Sequence, residues 1–399
     1  MAKILFVWEL GMGFGHLNRY TDMIRGLIKE KHKIYFAARD VGNAEKAFGK
    51  EKVSLLQAPF MPRGVNNPIR QPRTHAHLLH NIGFNDATAM TGRIKAWRQL
   101  HEYVKPDMII YDHSPTAQLA YRGTKSKHVL CGTGFTIPPA KVPMPNMRYW
   151  EKANQDAMLK TEKKIIDVVN VALNGLKLPH LVSCAELMNA DATLLLSFKE
   201  LDHYQDRGEA EYLGVTIPED YGEAPKWPAG GERKVFAYLY PFKTLPALLG
   251  TLNKSNISAI IYAPEVQRAL KQKHQTQRLV FADKPQRISE VTQQCDIALT
   301  NGTHATTAAV LLAGKPLLTL PQNLERLLVS QRVREMGAGL VAPQLKPEGM
   351  AAKFKTLMTN GEFKVKAQEF ATKYSGFNRK DQLQRIMEIL DKTLAAGKK

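Results

Sequence analysis

The chain has 399 residues, 44% hydrophobic and 23% charged, which excludes a largely disordered or fibrous protein and is too long for a single core. Lys and Arg outnumber Asp and Glu by 56 to 37, a net charge of +19 that attracts phosphates, anionic membrane surfaces, acidic substrates or nucleic acid. The basic residues are spread along the whole chain, so a solvated surface is the first reading and nucleic acid is not favoured.

The apolar runs near residues 4–8, 192–198 and 308–320 are too short or too interrupted to span a membrane. Residues 1–16 lack a secretory apolar region. Cys131, Cys184 and Cys295 are odd in number and far apart, which argues against a disulfide framework or a zinc site. A reducing cytoplasm is expected, with a peripheral position at the inner membrane surface compatible with the charge.

In chain order, residues 3–8 predict a strand, residues 11–15 a glycine-rich turn, residues 17–31 a helix and residues 33–38 a second strand. Further strands are expected at 53–57, 107–111, 128–131 and 192–197, and a helix at 152–176. The segments 59–85 and 132–149, rich in Pro, Gly and basic residues, read as long functional loops. Residues 214–234, with Pro218, Pro225 and Pro228, read as a linker. Strands then resume at 235–240, 259–262, 279–281, 297–300 and 316–320. Alternating strands and helices imply parallel sheets covered on both faces. The expected fold class is α/β, with two doubly wound Rossmann-like domains facing a cleft. The first comprises residues 1–213, with a C-terminal helix near 376–399 packing back on it, and the second residues 235–375.

The turn Gly11-Met12-Gly13-Phe14-Gly15-His16 has His where a dinucleotide fingerprint has its third glycine, so a nicotinamide role is weak even with Asp40 after the second strand. The glycines allow a ligand to approach the backbone, with His16 at the start of a helix. Asp112 follows the strand at 108–111, and all strands of a parallel sheet end at one edge, where ligands bind. A carboxylate on one imidazole nitrogen leaves the other free to take a hydroxyl proton, so His16 and Asp112 form a candidate base pair, with His113 a weaker competitor. In the second half a strand runs into Asn301, Gly302, Thr303 and His304, and a helix follows. Helix-start N–H groups, with the hydroxyls of Thr303, Thr306 and Thr307 and the imidazole of His304, make a candidate anion site.

Together these features resemble the GT-B nucleotide-sugar glycosyltransferases. The likeness is to the branch of UDP-glucuronosyl- and flavonoid glycosyltransferases and, more distantly, to the peptidoglycan precursor transferase. Gly15-His16 resembles the family's Gly-His, whose His is the base, and Asp112 falls where the family's Asp orients it. Gly302, Thr306, Gly314, Pro316, Pro321, Glu325 and Gly337–Gly339 keep the donor signature, and Pro285-Gln286 resembles the loop near the nucleotide base. Departures are Asn301 for the phosphate-binding His, Thr303 for a glycine, Ala309 for the ribose-binding Glu and Arg326 for a sugar-contacting Gln. Tyr240-Pro241 stands near a diphosphate-contacting turn.

The resemblance implies inverting, metal-independent transfer of a sugar from a nucleotide diphosphate, UDP- or dTDP-linked, to a hydroxyl of a small-molecule or lipid-linked acceptor. No further cofactor is implied. Donor residues are then Asn301, Gly302, Thr303, His304, Thr306, Thr307, Glu325, Arg326 and Gln286. Acceptor contacts fall to Phe135, Met144 and Trp150, with Met147 and Tyr149 adding apolar surface and Arg63, Arg70 and Arg73 adding charge. Other readings are a transferase acting on modified DNA bases, a non-catalytic binding module on the same fold, and a nucleotide-sugar epimerase. A metal role for His75, His77 and His80 is weak because no Cys accompanies them, and Trp97 and Trp227 read as packing residues.

Overall fold

A computed structural model describes residues 1–11, 13, 15–61, 64–217, 222–342, 344 and 346–396 of the chain. Arg63 and Pro218, and Met12 and Phe14 of the glycine turn, lie outside these. The chain divides into two compact units: Met1–Ser197 with Tyr204–Gly214 and Lys380–Lys399, and Phe198–His203 with Val215–Arg379.

The first unit holds β1 (Lys3–Trp8), β2 (Lys33–Ala38), β3 (Val53–Gln57), β4 (Met108–Asp112), β5 (Lys127–Gly132) and β6 (Ala192–Leu195). They pair in parallel in the order β3-β2-β1-β4-β5-β6. Strand alternation divides the core between the two faces. Leu5, Val7, Ile109 and Tyr111 pack on one side with Trp97 and Ile165. Ile4, Phe6, Trp8 and Ile110 pack on the other with Tyr20, Leu213, Ile386 and Leu390. The last two residues belong to the helix Arg379–Ala395, which returns to this unit.

The second unit holds β7 (Arg233–Tyr238), β8 (Ile257–Tyr262), β9 (Leu279–Ala282), β10 (Ile297–Thr300), β11 (Leu317–Thr319) and β12 (Gly339–Val341). Their parallel order is β12-β11-β10-β7-β8-β9. In each sheet the order reverses once, between β1 and β4 and between β7 and β10. Such reversal points open a crevice at the carboxyl ends of the strands, where α/β proteins bind ligands.

The structure differs from the sequence expectation at several elements. Residues 17–31 are not one helix but two, Gly15–Asn18 and Thr21–Lys29. The expected loop 59–85 contains the helix His75–Asn81, started by the Thr74 hydroxyl accepting from the His77 N–H. Seven residues are too few for an apolar period to show. Three-residue β12 had no signal for the same reason. The segment Phe198–His203 counts with the second unit although the sequence places it before the linker.

Candidate active site

At the carboxyl edge of the first sheet, the parallel register sets Trp8 beside Asp112. The His16 ring stacks on Trp8, centroids 5.4 Å apart and planes 17° apart, and Trp8 is itself fixed by its indole N–H donating to the Leu10 carbonyl. His16 Nδ1 lies 2.9 Å from Asp112 Oδ2. An ionised carboxylate only accepts, so Nδ1 is the donor and carries a proton. Arg19 completes the row: its Nε donates to the Gly15 carbonyl at 3.1 Å and its guanidinium stands 3.9 Å from Asp112 Oδ1. Asp112 is 2% exposed. Burial alone would raise its carboxyl, but the neighbouring His16 and Arg19 hold it below the usual carboxylate range.

The competitor, His113, takes a left-handed backbone (φ 42°) and turns toward the His75 and Phe135 rings, centroids 5.9 and 6.1 Å away. Burial, with His75 and His16 nearby, pushes its imidazole down to about 3, leaving a poor proton acceptor. His75 is pushed to about 4 by burial. His77 Nδ1 accepts from the Arg73 N–H, and His80 Nε2 lies 3.0 Å from the Asn67 carbonyl.

These three histidines do not gather their ring nitrogens. Among the described residues one group of three potential metal ligands does come together: Glu30, His32 and Asp391. There His32 Nδ1 accepts from the Ala2 N–H, which places the ring proton on Nε2, the nitrogen facing Glu30. That tautomer opposes metal binding. Asp40 caps the helix Val41–Phe48 through Asn43 N–H, a local role that accounts for its position.

Of the expected acceptor residues, Phe135 and Trp150 are half-buried, and Trp150 meets Tyr149 edge to face. Met144 is a correction: it is fully buried in the core and its N–H donates to Glu162, so it offers no surface. Met147 is equally buried. Arg73 pairs with Glu151 at 3.0 Å, and Arg70 is exposed. Trp97 is a core residue, as expected of a packing residue.

In the second unit, Gly302 follows β10 at φ 76°, where a β-carbon would collide with Ser330 Oγ and the Arg326 carbonyl. Only glycine fits this close approach. The helix His304–Leu312 begins at once, its N-cap Thr303 making no side-chain cap. The first N–H groups of a helix lack intrahelical partners and favour an anion. Thr303 Oγ1 and Thr307 Oγ1 are buried without a hydrogen-bond partner among the described residues. Thr306 is half-buried.

Asn301 Oδ1 accepts from the Tyr240 N–H at 3.2 Å and its Nδ2 donates to the Tyr238 carbonyl at 3.0 Å, so its side chain ties β10 to the end of β7. Arg326 lies over the Tyr240 ring, 4.8 Å from its centroid, and reaches Gln322 Oε1 at 3.3 Å. It sits with half-buried Glu325 in the first turn of the helix Leu324–Glu335, capped by Asn323. Gln286 donates to the Lys284 carbonyl, and its loop is bridged to Glu223 through Pro285 O and Arg287 N–H.

His203 escaped the sequence reading. It is fully buried and its ring stacks on His304, centroids 5.5 Å apart and planes 20° apart. A lone His before Tyr204 carries no spacing that could have marked it.

No family model matches the sequence. The chain is 20% identical to a PGL/p-HBAD biosynthesis glycosyltransferase of Mycobacterium tuberculosis (strain ATCC 25177 / H37Ra), over 92% of this chain and 88% of that one. Among solved structures, the calicheamicin glycosyltransferase CalG4 superposes with a TM-score of 0.70 at 15% identity, covering 98% of each chain. The spinosyn rhamnosyltransferase SpnG complexed with spinosyn aglycone gives 0.69 at 16%, covering 97% of this chain and 100% of that one. The glycosyltransferase VinC in complex with dTDP gives 0.64 at 15%, covering 99% and 100%. Two doubly wound parallel sheets and this likeness define the GT-B fold of glycosyltransferases for the chain. Among its described helices none is long and apolar enough to cross a membrane.

Proposed function

We propose that the protein is an inverting glycosyltransferase that moves a sugar from a UDP- or dTDP-linked donor to a hydroxyl of a small-molecule or lipid-linked acceptor. The observation that carries this is the 2.9 Å contact of His16 Nδ1 with buried Asp112 at the switch point of the first sheet. His16 Nε2 takes the acceptor's hydroxyl proton as that oxygen attacks the anomeric carbon from the face opposite the leaving group. The bond from that carbon to the nucleotide diphosphate breaks, and negative charge grows on the departing phosphate. The Gly302 turn and the N–H groups opening the helix His304–Leu312 receive that charge, with the Thr303 hydroxyl beside them. The sequence has no Asp-x-Asp motif to hold a cation, and the reading assigns charge stabilisation to these protein groups. The solved likenesses with dTDP and with an aglycone support nucleotide sugar and small molecule as substrate classes. The three free, buried cysteines fit a reducing compartment, and the net charge of +19 fits a lipid-linked acceptor at an anionic surface.

The test pairs binding with turnover. UDP or dTDP raises the melting temperature of the wild type, because a ligand held only by the folded form stabilises it. His16→Ala keeps that shift and loses transfer by about 10²-fold or more. Unchanged turnover in His16→Ala overturns the base, and no shift with either nucleotide overturns the donor class.

A further inference from the structure

The row His16, Asp112, Arg19 poses a problem that its geometry also answers. A carboxylate beside an imidazole favours the charged imidazolium, yet a general base must rest neutral to accept a proton. Arg19 supplies the opposing charge. Its Nε is anchored on the Gly15 carbonyl, one residue before His16, while its guanidinium stands 3.9 Å from the Asp112 oxygen that His16 does not use.

We propose that Arg19 is a positioning residue whose guanidinium offsets Asp112, so that His16 rests as the neutral imidazole with Nε2 open to a hydroxyl. The proposal rests on the reading of His16 as the base. The other titratable groups around the row are His113 on the turn after β4, His75 on the helix His75–Asn81, Tyr20 and, on β5, Cys131. Burial keeps all four uncharged near neutral pH: His113 and His75 at about 3 and 4, Cys131 at about 12 and Tyr20 well above its ordinary value. That leaves Asp112 and Arg19 as the charged groups of the row. Arg19 acts twice in one direction, weakening the pull of the carboxylate and repelling the imidazolium directly.

The experiment is an NMR titration of the His16 imidazole in the full-length protein, assigned with His16→Gln, in wild type, Arg19→Gln and Arg19→Lys. Arg19→Gln is expected to raise the His16 midpoint by about one pH unit, and the acid limb of kcat/KM moves up with it. Arg19→Lys, which keeps the charge, returns both most of the way. Should Arg19→Gln not fold, Arg19→Met, which keeps the apolar stem, takes its place. An unchanged or lowered midpoint overturns the proposal. The titration needs no turnover, so the two readings fail separately. A shifted midpoint with transfer indifferent to His16 overturns the base and leaves the Arg19 effect standing. A fixed midpoint with His16-dependent transfer overturns Arg19 alone.

Discussion

The imidazole of His16 occupies the space that a β-carbon on Gly11 would fill, with Nε2 the nearest atom. Gly11 therefore shapes the seat of the His16 ring. Gly11 also takes φ 91°, a conformation that costs an L residue on the order of 1–3 kcal/mol. Gly11→Ala is expected to push the ring off Asp112 and lower kcat/KM by about 10²-fold, since displacement of a base by 1 Å is enough for such a loss. The nucleotide-induced rise in melting temperature stays as in the wild type. Full activity in this variant would show that the ring does not react from the observed position.

Asp112→Asn keeps the shape of the side chain and removes its charge. The amide can present its N–H to the ring, which favours the tautomer with the proton on Nε2, the nitrogen that must be empty. Steady-state kinetics should show kcat reduced by about 10²–10⁴ with little change in donor KM. A loss confined to KM would mean that Asp112 serves binding.

The parts of this arrangement that were legible in the sequence are those with a period or a punctuation mark. Apolar runs followed by Gly11–Gly15 and by Asn301-Gly302 located both carboxyl edges, because a parallel strand buried on both faces reads as an unbroken apolar run. His16 and Asp112 stood out because one opens the helix after the glycine turn and the other closes the run at 108–112. What stayed hidden depended on contacts between distant segments. Met144 looked like surface in a Pro-rich loop, yet the buried Glu162 carboxylate draws its backbone inward. The tie of the Asn301 amide to the backbone at the end of β7 carries no sequence signal. His203 and Arg19 acquire meaning only from the neighbours that folding brings to them.

Asn301 yields a prediction about stability. Replacing it with Ala leaves the partly buried Tyr240 N–H and Tyr238 carbonyl without these partners, a loss of about 1 kcal/mol. The expected result is a lower melting temperature in the absence of substrate, and donor affinity falls only as far as the Gly302 turn relaxes. A variant that melts like the wild type but binds nucleotide weakly would assign Asn301 to donor binding instead of to holding β7.

Glu9 gives the fold a pH dependence of its own. It follows β1, is 2% exposed, and accepts from the Thr116 N–H at 2.9 Å. Burial pushes its carboxyl up to about 7, against the lowering influence of Thr116 and Arg93. Between the ordinary carboxylate value and 7 the folded state keeps a proton that the unfolded chain has lost, so the group's contribution to stability declines as pH rises through that window and is level above it. With about 1.4 kcal/mol per unit, the decline amounts to roughly 3 kcal/mol. Glu9→Gln keeps an oxygen for Thr116 and carries no ionisation penalty. Its melting temperature should match the wild type near pH 4.5 and exceed it by several degrees at pH 8. A difference of the same size at both pH values would mean that Glu9 is ionised in the folded protein throughout, paired more tightly with Arg93 than its burial implies.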